Sequence, residues 1–138
     1  MADSIIEITA DRPRQNITLH VSDYGDISFS IYTDSPASYS TINGALMHLS
    51  QLEKEYRSII LTESLSNEDR GKKYFEFLGK EAEICINALK IAIGEEEWTD
   101  KLDTVAQFLP ISTLQEILRT CASAVSRSAV ERLQEGRV

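Results

Sequence analysis

Apolar residues recur along this chain at two spacings, and the change between them divides it. Before Ser35 the period is two: Ile17, Leu19 and Val21 alternate with Thr18, His20 and Ser22, and Ile27, Phe29 and Ile31 alternate with Ser28, Ser30 and Tyr32. Alternation of this kind puts each apolar set on one face of a strand. Between the two runs, Asp23-Tyr24-Gly25-Asp26 supplies turn chemistry, with Gly25 free to take positive φ. The expected product is an antiparallel β-hairpin with one apolar face and one Ser/Thr-rich face. Ser4 to Ala10, with Ile5, Ile6 and Ile8, is a candidate third strand, separated from the hairpin by a loop in which Pro13 interrupts any ladder. An isolated hairpin is marginal in water, so its apolar face is expected on the helices or on a neighbouring subunit.

After Ser35 the spacing lengthens to three and four. Ser35-Pro36 marks a helix start, a capping hydroxyl followed by proline at the first helical position. The stripe Ile42, Leu46, Leu49, Leu52, Tyr56 and Ile59 or Ile60 predicts a helix from about Ala37 to Leu61. Ala45, Met47 and the Ile59-Ile60-Leu61 run widen that stripe beyond one packing face. Ser66 with Asp69 resembles a capping pair for a second helix over Glu68 to Ile93, whose stripe is Phe75, Leu78, Ala82, Cys85, Ile86, Leu89 and Ile93. Gly94 suits a positive-φ cap, and Glu95-Glu96-Glu97 fall where a following helix would present its positive dipole end. Trp98, Leu102, Val105 and Leu109 form a short third stripe, broken by Pro110. Ser112 with Gln115, or Thr113 with Glu116, is expected to cap a fourth helix carrying Leu114, Ile117, Leu118, Cys121, Val125, Ala129 and Leu133. The predicted class is α+β: an N-terminal hairpin region over residues 1–34, then a bundle of about four helices over 35–138, in a single domain.

At 138 residues such a domain buries roughly two thirds of its unfolded surface, enough for a core without staples. The net charge of −8 argues against a nucleic-acid backbone as partner. Residues 95–110 concentrate five acids against one lysine, whereas 111–138 hold four arginines against three glutamates. No apolar run approaches the ~20 residues that span a bilayer, and the N-terminus lacks a basic region followed by an apolar stretch. A cytoplasmic setting, with no membrane partner, is the expectation.

The sequence offers no phosphate-cradling glycine loop, no nucleophile elbow and no pair of histidines on one helix face. The expectation is therefore no enzyme, no cofactor and no resident metal. Cys85 and Cys121 fall inside helical stripes and read as reduced core thiols. His20 and His48 lie on polar flanks and read as surface histidines. Successive residues of the Glu95–Glu97 run point to different sides of a helix, which suits a dipole complement better than the converging oxygens a hard cation needs. Trp98 reads as filling between helices. Tyr24, at a turn tip with nothing behind it, is the better contact residue. The partner-binding set expected from these patterns is Tyr24, Ile42, Leu46, Leu49, Tyr56, Ile60, Leu118 and Val125.

One combination of features resembles a known family. An apolar strand ending in an Asp-containing cap (Ile27 to Asp34) leads to a long helix. A Cys-bearing helix follows and closes as Ala88-Leu89-Lys90-Ile91-Ala92-Ile93-Gly94-Glu95-Glu96-Glu97-Trp98. This order is similar to that of the tail assembly chaperones of long-tailed bacteriophages and prophages. Residues 82–133 are similar to an ending shared by several of their groups: helix, Gly-Glu, short helix, loop, final helix. The resemblance covers roughly the last two thirds of the chain. It implies a non-enzymatic protein that coats the tape-measure protein during tail morphogenesis and that forms ring or helical homo-oligomers. The rival expectation is a small bacterial adaptor or antitoxin-like regulatory protein that dimerises and masks another protein.

Overall fold

In the computed structural model, which describes residues 4–10, 13–62, 64–94 and 96–136, the architecture changes where the hydrophobic spacing does. Strands β1 (Arg14–Val21) and β2 (Gly25–Tyr32) form a two-stranded antiparallel sheet. Its register pairs Ile17 with Phe29 and Leu19 with Ile27 on one face, and Thr18 with Ser28 and His20 with Asp26 on the other. The turn takes positive φ at Asp23 as well as at Gly25. Aspartate is one of the few side chains that tolerates that region. Ser4–Ala10 adds no third strand; it has no regular secondary structure, and each of its residues is exposed.

Four helices follow: α1 (Pro36–Ile60), α2 (Asn67–Ile93), α3 (Asp100–Ala106) and α4 (Ile111–Gln134). Ser35 caps α1, accepting from the Ser38 amide at 3.2 Å, and Ser66 caps α2 through the Asp69 amide at the same distance. Gly94 ends α2 at φ 89° and ψ 153°, a region open in practice to glycine alone. Two starts differ from expectation. Helix α3 begins at Asp100 behind a Thr99 cap, so Glu96 and Glu97 lie in the preceding turn and not on the helix; Glu95 lies outside the described residues. Helix α4 is entered through Pro110, whose carbonyl accepts from the Thr113 and Leu114 amides. Ser112 and Thr113 are thus already helical and cap nothing.

The core is built where three layers meet. Ile27, Phe29 and Ile31 of β2 pack with Ile42, Ala45 and Leu49 of α1, Cys85 to Ile93 of α2, Leu102 and Val105 of α3, and Leu114 to Val125 of α4. The hairpin's apolar face is therefore covered by helices of its own chain, on the β2 side. Along α1 the last buried residue is Leu49, and along α2 the first is Glu81. From Ser50 to Lys80 no described residue is buried. The reason is the position of α4. Gln115, in its second turn, donates to Glu81 at 3.0 Å, so α4 starts level with Glu81 and does not reach the stretch before it. The part of α2 before Glu81 is roughly 20 Å long, at 1.5 Å per residue, and packs chiefly against α1.

Candidate functional site

The overhanging end of the α1–α2 hairpin is held by aromatic packing. Tyr56 and Phe77 stack with ring centroids 4.3 Å apart. Tyr74 tilts against Tyr56 at 5.8 Å, and Phe75 meets Tyr74 edge-on at 5.9 Å. The sequence dictates part of this arrangement. At 100° per residue, Tyr74, Phe75 and Phe77 span an arc of about 160° on α2, wider than the ~100° face that one partner helix covers, so α1 alone does not hide all three. Phe77 takes the place against α1, and Phe75, expected on the core stripe, is left outside. Ile59, Leu61, Tyr74 and Phe75 stand 44–77% exposed at this one end of the molecule. A two-helix tip has too little backbone around it to cover them.

Charged pairs surround the apolar tip. Arg57 meets Glu53 at 2.7 Å, Lys73 meets Glu76 at 3.5 Å and Lys72 meets Glu68 at 3.8 Å, all within a helix and well exposed. Exposed pairs of this spacing contribute only about 0.3–0.5 kcal/mol each, so they act as a polar rim more than as a clamp. Arg70 reaches back to the Thr62 carbonyl at 3.5 Å and ties α2 to the link that precedes it. The Tyr56 hydroxyl is held above its usual range, first by desolvation and then by Tyr74, which keeps it neutral.

The residues expected to bind a partner divide. Tyr56 and Ile60 belong to the overhang and are half-buried, as is Leu46 nearer the core; Tyr24 stands exposed at the hairpin tip. Ile42, Leu49, Leu118 and Val125 are instead buried in the subunit's own core. Ile42 and Leu49 of α1 and Leu118 and Val125 of α4 face the shared core, so they are spent on folding and are not surface. The exposed tip residues outside the expected partner-binding set are Ile59, Leu61, Tyr74 and Phe75. The signal was available: three of the ten aromatic residues fall within four positions, over an arc wider than the ~100° stripe of one packing face.

Several polar groups elsewhere have structural partners. His20 Nδ1 lies 2.6 Å from Asp26 Oδ1 across the hairpin, with both side chains exposed. Trp98 donates from Nε1 to Asp103 at 2.9 Å, and Lys90 reaches the same carboxylate at 3.5 Å, locking α3 to the end of α2. That bond from Trp98, reinforced by Lys90, holds the Asp103 carboxyl below its usual range. Arg14 lies 3.8 Å from Glu97, joining the start of β1 to the same junction. Buried Glu81 is pushed up by desolvation and by Glu53, against the lowering effect of Gln115. Desolvation also raises the Cys85 thiol to about 11 and the Cys121 thiol to about 12. His48 borders an open groove of about 500 Å³ between α1 and α2, with Lys80, Glu83 and Asn87 opposite. Among the described residues, no group of three or more His, Cys, Asp or Glu is arranged to hold a metal ion. No helix of the described residues is long and apolar enough to cross a membrane.

No family model, curated protein or solved structure matches the chain.

Proposed function

We propose that this chain is a non-enzymatic protein-binding module of the tail assembly chaperone kind, acting in the host bacterial cytoplasm on the tape-measure protein of a long-tailed phage or prophage. One observation carries the binding part: the exposed Ile59, Leu61, Tyr74 and Phe75 at the free end of a helical hairpin that its own fold leaves uncovered. Apolar residues gathered at one protruding end, rimmed by charge, are what a docking surface for polypeptide needs. An extended helical partner offers apolar stripes that such a tip can cover. The Ala88-to-Trp98 junction and the order of elements over residues 82–133 support the choice of family. The surplus of acidic residues supports an assembly that stays dispersed while its sticky ends are occupied.

The test is a pull-down with the full chain from infected or prophage-induced cells, with the captured proteins identified by mass spectrometry. The reading expects the tape-measure protein as the dominant partner. Capture of a toxin or a transcription regulator in its place favours the adaptor reading and removes this one.

A further inference from the structure

Ser4–Ala10 lies free of the fold, and Ile5, Ile6 and Ile8 are 81–86% exposed, more than any other large apolar residue described. The sheet beside it is incomplete. Among the described residues β1 has β2 as its only strand neighbour, so its other edge presents amide and carbonyl groups with no strand beside them. Its apolar face is unfinished as well: Ile27, Phe29 and Ile31 of β2 are buried, whereas Ile17, Leu19 and Val21 of β1 are only half-buried. We propose that residues 4–10 of one copy add as a strand to the open edge of β1 in a second copy. This rests on the self-associating chaperone reading and supplies its contact.

Three features fit arm to edge. Seven extended residues span ~23 Å, close to the ~26 Å of an eight-residue strand. In an extended arm, Ile6, Ile8 and Ala10 share one face, which continues the row Ile17, Leu19 and Val21. The opposite face carries Glu7 and Thr9, and the matching face of β1 carries Arg14, Asn16, Thr18 and His20. Glu7 is thus the arm's one charge, set against a strand whose charged and titratable groups are cationic or basic. Ile5 is the one residue that breaks the pattern. Within its own chain the arm is not paired with β1, and Pro13 weighs against the tightest turn that would fold it back. The Pro13 carbonyl accepts from the Thr33 amide at 3.1 Å on the β2 side, and its nitrogen carries no proton. Pro13 therefore has no ladder bond with which to close a turn of residues 11 and 12 back onto β1.

Size-exclusion chromatography with light scattering tests this on the full chain at tens of micromolar, beside two full-length variants, Ile6→Asp/Ile8→Asp in the arm and Ile17→Lys on the receiving edge. The parent is expected as a dimer or larger assembly, and both variants as monomers with unchanged helical circular dichroism. The arm makes no contribution to the core, so its variant folds whatever the outcome. A monomeric parent overturns the proposal, and so does an arm variant with the parent's mass. In the latter case self-association by another surface still stands, as does tape-measure capture by the α1–α2 tip. The tip variant Leu61→Asp/Phe75→Asp separates the two: it is expected to assemble like the parent and to lose only the partner.

Discussion

Tyr56 of α1 stacks on Phe77 of α2 with planes 14° from parallel and ring centroids 4.3 Å apart, well beyond the point where the shared core ends. The pair holds together a stretch of helix in which no described residue is buried. Its free energy is that of one aromatic contact, about 0.5–1.5 kcal/mol beyond area burial. The distal end is consequently the part of the bundle that opens first.

Phe77→Ala is therefore expected to cost about 1–2 kcal/mol in denaturant unfolding, less than the 3–5 kcal/mol usual for a buried phenylalanine. It should also increase amide exchange between residues 52 and 80 while leaving exchange at Ile86 to Ala92 unchanged. By contrast Leu118→Ala, at a side chain with no exposed surface, should cost about 2–5 kcal/mol and lower protection everywhere. Equal costs for the two would mean that the overhang is part of the core.

Gly94→Ala tests the junction. The backbone there sits at φ 89° and ψ 153°, and a Cβ would meet no neighbouring atom, so any penalty is conformational and not steric crowding. A loss of about 1–3 kcal/mol is expected in thermal or denaturant unfolding. An unchanged midpoint would show that the chain between α2 and α3 can turn another way.

Glu81 sets a pH dependence whose sign follows from its surroundings. It is buried between Glu53 of α1 and Gln115 of α4, one turn before Cys85, and its carboxyl is raised above the ordinary 4.5 by desolvation first and by Glu53 second. The folded state then holds the proton more tightly than the unfolded one. The stabilisation is fully present below 4.5 and is lost as pH rises through the raised folded value. Glu81→Gln removes that loss and keeps an acceptor for the Gln115 amide. The variant should raise the melting temperature more at pH 7 than at pH 4. A gain that is the same at both pH values would show that ionisation of Glu81 plays no part.

The two thiols should be silent in the native state. Burial raises Cys85 to about 11 and Cys121 to about 12, so the reactive thiolate is scarce at pH 8. A thiol reagent at pH 8 should label neither residue over the time in which it labels both in denaturant. Rapid native labelling at either position would contradict the packing of α2 against α4.

Most of the fold was legible because local chemistry and tertiary packing agree. Ser35-Pro36, Ser66 and Gly94 each act where the sequence placed them, and period-two alternation located both strands. The failures share a cause. Ile5, Ile6 and Ile8 have strand composition, but composition does not supply a partner edge. Ser112 and Thr113 are good caps that lost to Pro110, whose fixed φ had already started the helix. The candidate site was half legible for a related reason. An apolar stripe shows which face of α1 and α2 is greasy, but where along their length that face stops being covered depends on α4. Its start is set by a contact between Gln115 and Glu81, 34 residues apart. Hence Ile42 and Leu49 proved to be core, while Tyr56 and Ile60 on the same stripe lie beyond it.

The direct test of the proposed role is co-expression of the tape-measure protein with either the full chain or its Leu61→Asp/Phe75→Asp variant, followed by affinity purification and quantification of the complex. Both substitutions lie at exposed positions outside the core, so the variant should keep the parent's melting temperature. The parent should co-purify with the tape-measure protein, and the variant should lose at least nine tenths of it. Equal recovery by both chains, or none by the parent, would contradict the account.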